Sequence, residues 1–127
     1  MAAHLLDTDV LVEYLRGRPR ALSFLESLEG DLLVSAITVA ELWAGARGKE
    51  EEAALETFLG AFEVLSVDLD TAREGGALRR KYGPSHGTGL ADALIAASAL
   101  RRGAKLVTFN RRHFPFVKDL LVPYRRS

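Results

Sequence analysis

His4-Leu5-Leu6-Asp7-Thr8-Asp9-Val10-Leu11 compresses a strand, an acidic turn and the start of a helix into one short run. His4-Leu5-Leu6 reads as a strand that ends at Asp7. Val10, Leu11, Tyr14 and Leu15 then recur at helical spacing until Gly17 and Pro19 stop them. Outward from this run the same succession repeats. A second helix is predicted over about residues 20–29, closing at Gly30, and a second strand over Leu32 to Ile37. Thr38-Val39-Ala40-Glu41 opens a helix through about Arg47, and residues 50–60 read as another. Val64-Leu65-Ser66-Val67 is a third strand, followed by a helix from about 70 to 82. Gly83 to Gly89, with three glycines and Pro84, reads as a loop. Leu90 to Arg102 is an alanine-rich helix stopped by Gly103, Lys105 to Phe109 a fourth strand, and Leu120 to Val122 a short edge strand. Short apolar runs alternating with longer helical segments define an α/β chain, a sheet covered by helices.

The chain has 127 residues, which fits a single domain, 1–127, on the usual scale of roughly 100–200 residues per domain. Seventeen basic residues balance seventeen acidic ones, so no global field draws nucleic acid or anionic lipid to it. Any such partner must be met by a local patch. The absence of cysteine excludes a disulfide framework, a thiolate zinc site and a cysteine nucleophile. The N-terminus lacks a basic region, and the longest uncharged apolar run, Ala93 to Leu100, falls far short of the roughly 20 residues a bilayer span needs. A cytoplasmic protein with no membrane partner is the expectation.

Four polar residues occupy equivalent places in successive strand–helix units. Asp7 ends the first strand, Glu41 lies in the first turn after the second, Asp92 lies near the start of the alanine-rich helix, and Asn110 follows the fourth strand. In an open parallel sheet, ligands bind outside the carboxyl ends of the strands, so these groups are expected to converge. Three carboxylates in one place repel unless a cation or proton is taken up. Oxygen donors with one amide suit Mg²⁺ or Mn²⁺ rather than zinc. Such a site supports metal-assisted attack of water on a phosphodiester. Each residue also has a local explanation. Glu41 completes a Thr-x-x-Glu capping box with Thr38, Asp92 complements a helix dipole, Asp7 caps the first helix, and Asn110 suits a turn. Their joint placement favours the functional reading.

Two other classes share parts of this pattern. Asp7-x-Asp9 echoes the acid pair of haloacid-dehalogenase-like phosphotransferases, but Leu11 stands where Thr is needed and the late acidic pair is missing. A response-regulator receiver requires Lys after the last strand, where Asn110 stands. The glycine-rich segment before Asp92 is no Walker motif, since it lacks Gly-Lys-Ser/Thr.

Leu5-Leu6-Asp7-Thr8-Asp9-Val10-Leu11, Ile37-Thr38-Val39-Ala40-Glu41-Leu42, Asp92-Ala93-Leu94-Ile95-Ala96-Ala97 and Leu106-Val107-Thr108-Phe109-Asn110-Arg111-Arg112-His113-Phe114 together resemble the motifs of the PIN-domain family. They are most similar to its bacterial toxin branch, the VapC ribonucleases of toxin–antitoxin pairs. The resemblance implies a three-layer α/β/α fold with a central parallel sheet of four to five strands. It implies Mg²⁺- or Mn²⁺-dependent endonucleolytic cleavage of RNA, with Asp7, Glu41 and Asp92 as metal ligands and Asn110 as the fourth catalytic position. It further implies a homodimer and a cognate VapB-like antitoxin whose C-terminal segment runs over the active-site groove. Two positions depart from the pattern. Asn110 stands where many members carry Asp, and Asp9 where Asn or Ser is commoner. Asp9 either restores the missing charge or caps the helix, and Asn110 leaves a catalytically degenerate domain, binding only RNA or antitoxin, as the alternative. Thr8 and Thr108 read as hydroxyls that orient the carboxylates.

Arg111 and Arg112 adjoin this constellation and are candidate RNA contacts. The clusters Arg16, Arg18, Arg20 and Arg79-Arg80-Lys81 read as solvated helix ends. His113 reads as a structural hydrogen-bond partner, Asp68 and Asp70 as helix caps, and Trp43, Phe58 and Phe62 as core or contact surface.

Overall fold

The computed structural model of the chain describes residues 2–126. Its centre is an all-parallel sheet of β1 (His4–Leu6), β2 (Leu32–Ser35), β3 (Glu63–Leu65) and β4 (Lys105–Val107), in the order β3-β2-β1-β4. β1 pairs with β2 through His4↔Leu32 and Leu5↔Leu33, and with β4 through His4↔Lys105, Leu5↔Leu106 and Leu6↔Val107. The chain therefore builds outward from β1 to β3 and returns to the opposite side of β1. The expected edge strand is a single parallel bridge, Val107↔Leu121. It is stitched by Thr108 N–H to Leu121 O at 3.0 Å and Leu121 N–H to Leu106 O at 2.9 Å.

Strands this short persist because both faces are buried. Leu6, Val34 and Val107 meet Val10 and Leu11 of α1 (Thr8–Leu15), Leu25 of α2 (Pro19–Ser27), Leu42 of α3 (Ala36–Ala44), and Leu55 and Leu59 of α4 (Gly48–Leu59). Leu5, Leu33 and Leu106, the alternate residues, meet Ile95, Ala96 and Ala99 of α6 (Leu90–Arg102), with Phe114 and Leu120. Each fully buried leucine contributes about 1.5–3 kcal/mol. Alanines let α6 lie close to the sheet on one side and to α5 (Leu69–His86) on the other. Gly75 of α5 sits so near Leu94 that an added Cβ would fall 2.6 Å from its Cδ2. The result is the three-layer α/β/α arrangement.

Several sequence expectations change, among them the ends of the third and fourth strands, which stop at Leu65 and Val107 rather than Val67 and Phe109. The segment from Gly83 is not a loop: α5 continues through Pro84 to His86, leaving only Gly87 to Gly89 outside helix. Pro84 lies in the last turn, where its missing N–H costs one bond. Tyr82 anchors that turn on Phe116 at 4.8 Å, and Gly87, at φ +68°, closes it by donating to Gly83 O at 3.0 Å. β2 stops at Ser35 rather than Ile37, because the Ser35 hydroxyl accepts Ile37 N–H at 3.0 Å and starts α3 early. Pro19 opens α2 instead of ending α1. Phe58 stacks on Tyr14 at 5.1 Å, whereas Trp43 stays 38% exposed. Among the described residues no helix is long and apolar enough to cross a membrane.

Candidate active site

β1 and β4 lie side by side although they begin and end the sheet, so the connections leaving their carboxyl ends part there and open a crevice. A cleft of about 350 Å³ occupies it, lined by Asp7, Thr8, Asp9, Val12, Glu13, Arg16, Glu41, Asp92, Asn110 and Arg126. The structure thus brings together the three predicted carboxylates, Asn110, Asp9 and Thr8 from four separate units.

Asp7 caps α1 and is only 5% exposed. Its Oδ1 accepts Thr8 N–H at 2.8 Å and its Oδ2 accepts the buried Thr108 hydroxyl at 2.7 Å. The N-cap of α1 is Asp7, and Asp9 lies inside the first turn. Its Oδ2 reaches across to Phe109 N–H at 3.2 Å, tying α1 to the end of β4. Glu41 lies further along α3 than expected, because that helix starts at Ala36. The capping box with Thr38 does not form. Thr38 is fully buried, and its hydroxyl donates to that of Thr8 at 3.0 Å, because the one Thr8 proton goes to Glu41. The Thr8 hydroxyl also stands 2.6 Å from Glu41 Oε1. Asp92, in the first turn of α6, accepts Gly89 N–H at 3.2 Å, so beyond complementing the dipole it closes the helix start. It also meets His113 Nδ1 at 3.0 Å, a nitrogen shared with the Asn110 side chain at 2.7 Å.

Negative charge gathers at the floor. Burial, and after it the charge of Asp9, pushes the Asp7 carboxyl up to about 7, against the pull of the Thr108 and Thr8 hydrogen bonds. Burial raises Asp9 as well, opposed by Phe109 N–H and then by the Arg126 charge. Asp9 Oδ1 is buried with no hydrogen-bond partner among the described residues. An orphaned carboxylate oxygen beside a second buried carboxylate is the arrangement a hard cation relieves. The residues therefore fit Mg²⁺ or Mn²⁺. They do not form a closed cage, since among the described residues no three acidic, histidine or cysteine groups stand close enough together to enclose an ion.

Arg111 and Arg112 sit on an exposed 3-10 turn and do not line the cleft. Arg16, expected as a solvated helix end, does line it. Sequence reading missed Glu13 and Arg126. Glu13 had a signal, being one helical turn from Asp9; Arg126 had none, because it reaches the cleft only by the return of the chain. A larger groove of about 710 Å³ adjoins the cleft, sharing Thr8, Val12, Arg16 and Glu41 and continuing over Leu15, Leu42 and Leu55. It is mainly apolar, and Asp7, Asp9, Asp92 and Asn110 line only the smaller cleft.

The PIN-domain family profile matches residues 4–119. The chain is 44% identical over 124 residues to a Mycobacterium tuberculosis protein named ribonuclease VapC19, covering 94% of this chain and 98% of that one. Ribonuclease VapC10 of the same organism is 37% identical over 123 residues, covering 94% and 92%. Among solved structures, a toxin–antitoxin complex from Klebsiella pneumoniae superposes with a TM-score of 0.85 at 29% identity, covering 97% of this chain and 99% of that one.

Proposed function

The chain belongs to the PIN-domain family, and from that premise we propose that it is the endoribonuclease toxin of a toxin–antitoxin pair, hydrolysing RNA phosphodiester bonds with Mg²⁺ or Mn²⁺. The carrying observation is the cleft at the β1–β4 switch point, where Asp7, Asp9, Glu41, Asp92 and Asn110 meet.

Asp7, Glu41 and Asp92, which line one cleft, would hold the ion once drawn in around it, and Asp9 Oδ1 would supply a further oxygen. When bound, the ion acidifies the attacking water and neutralises charge growing on the phosphate. The Thr108 hydroxyl fixes Asp7, and the Thr8 hydroxyl fixes Glu41 Oε1. Glu41, exposed to the cleft, is placed to take the proton from water. His113 Nδ1 orients Asp92 when it carries the ring proton and Asn110 when it does not, one partner for each tautomer. The substrate enters as a polyanion over these groups, and the arginines at the rim offset its charge.

The toxin–antitoxin complex among the structural relatives supports a protein antitoxin as partner. Its seat in this reading is the apolar groove beside the cleft, from which a bound segment would cover Thr8 and Glu41. Exposed Leu69, Leu90 and Leu100 support self-association as a homodimer. A cytoplasmic location fits an RNA substrate.

The test uses protein freed of antitoxin, a labelled structured-RNA pool, and Mg²⁺, Mn²⁺ or EDTA, with Asp92→Asn prepared identically. Metal-dependent fragments that vanish in the variant are expected. If neither protein cuts and calorimetry shows no Mn²⁺ binding, the nuclease reading fails and the degenerate binding domain, which Asn110 favours, replaces it.

A further inference from the structure

After the bridge at Leu121 the chain turns back towards the cleft, where two adjoining rings flanked by two guanidinium groups hold it. The Arg20 guanidinium carbon lies 4.6 Å from the centre of the Tyr124 ring. Tyr124 meets Phe109 edge-on at 5.0 Å, and the Arg126 guanidinium carbon lies 4.2 Å from the centre of the Phe109 ring. Arg20 also donates from Nη1 to the Arg125 carbonyl at 3.0 Å. A guanidinium lying on a ring keeps its edge, with the N–H donors, free for a second partner.

That edge is little used. Among the described residues the Arg126 guanidinium makes no hydrogen bond, and its one acidic neighbour within ion-pair range is Glu13 at 4.0 Å. Glu13 is already shared with Arg18, at 3.5 Å. An arginine with a structural role in this chain looks different: Arg102 closes a two-pronged pair with Glu63 at 2.7 and 2.8 Å. Arg126 instead lines the cleft that contains Asp7, Asp9 and Asp92. Such an acidic floor repels phosphate as strongly as it attracts a cation, so a polyanion needs fixed positive charge beside it.

We infer that Arg126 is a substrate-positioning residue, its planar fork taking a phosphate of the RNA strand next to the acidic floor, with the Phe109–Tyr124–Arg20 stack fixing it there. The inference rests on the endoribonuclease reading.

Binding of a short labelled single-stranded RNA is measured by fluorescence anisotropy in EDTA over a salt series, and metal-dependent cleavage kinetics in parallel. Wild type, Arg126→Gln and Arg126→Lys are compared. Arg126→Gln raises KM about tenfold, the loss of one charge-assisted hydrogen-bond pair, with kcat changed far less. It flattens the slope of log Kd against log salt by about 0.7, the value for one phosphate contact on a single strand. Arg126→Lys restores the slope, and Mn²⁺ affinity is not weakened in either variant. If wild type cuts RNA while Arg126→Gln keeps the wild-type KM and salt slope, the inference falls and the nuclease reading stands. A loss confined to kcat, with the slope unchanged, overturns it equally. If wild type neither binds nor cuts RNA, both fall together.

Discussion

The Thr108 hydroxyl donates to Asp7 at 2.7 Å across 101 residues of sequence. It also accepts Asn110 N–H at 3.1 Å. One buried hydroxyl thus joins the ends of β1 and β4 and holds the acid at the floor of the cleft. Thr108→Val keeps the shape and removes the bond. It is expected to cost about 1–3 kcal/mol in urea denaturation and about 10–100-fold in Mn²⁺ affinity, with Thr108→Ser recovering most of both. Wild-type Mn²⁺ affinity in the valine variant would remove the orienting role.

Stability without metal should fall as pH rises. Burial holds the Asp7 carboxyl near 7 and raises Asp9 too, so the folded chain keeps protons that the unfolded chain releases near its ordinary value of 3.8. The unfolded state therefore binds fewer protons in that window, and stability present below about pH 4 is lost as pH climbs through about 7. At ~1.4 kcal/mol per unit, the ceiling for Asp7 is about 4 kcal/mol. In EDTA the Tm should be higher at about pH 5 than at about pH 8, with Mn²⁺ closing the gap from the high-pH side. Asp7→Asn should raise the metal-free Tm at the higher pH and abolish the Mn²⁺ effect. A metal-free Tm that climbs over this range contradicts the assignment.

Adjacent glycines of α5 should respond in opposite senses. A Cβ at Gly75 would stand 2.6 Å from Leu94 Cδ2 and 3.1 Å from Leu94 Cα, the second being backbone that cannot rotate away. A Cβ at Gly76 meets nothing within 4 Å. Gly75→Ala is expected to destabilise by about 1–3 kcal/mol, and Gly76→Ala to stabilise by about 0.5–1 kcal/mol. Leu94 neighbours Asp92 on α6, so cleavage should drop in the first variant only. Equal denaturation midpoints for the two would show that α5 and α6 are not packed this closely.

His113 should matter through metal affinity rather than proton transfer. Its Nδ1 stands 3.0 Å from Asp92 Oδ2 and 2.7 Å from Asn110 Nδ2. His113→Ala frees both groups and is expected to weaken Mn²⁺ binding about 10–100-fold. His113→Asn, which returns a polar atom to a similar place, should recover part of it. The acid limb of the pH–rate profile should keep its position in the asparagine variant; a shift there would mean that His113 itself carries a proton in the reaction.

Much of this architecture could be read from the chain. Leu5-Leu6, Leu33-Val34 and Leu106-Val107 are continuous apolar pairs in short runs, as a strand buried on both faces requires. Asp7 was legible because it directly follows such a run, and Asn110 because it lies just past Thr108-Phe109 at the end of another. Glu41 was placed a turn too early, since Thr38-x-x-Glu41 imitates a helix start while the true cap is Ser35. The end of α5 was hidden for a different reason. Glycine and proline stop helices by local cost, and here the tertiary contact of Tyr82 with Phe116 outweighs it. Arg126 was beyond local reading altogether. No pattern near it differs from an ordinary charged tail, and only the stack on Phe109 gives it a place.

The strands that frame the cleft are the first and the last of the sheet to be synthesised. While the chain is still on the ribosome, β1 to β3 can assemble, but one edge of β1 stays open and Asp7 lacks Thr108. A polypeptide broken off before β4 therefore lacks both Thr108 and Asn110 and cannot complete the cleft. The same delay leaves an unpaired strand edge exposed for the longest part of synthesis, which is the interval in which a nascent chain of this fold is most prone to aggregate.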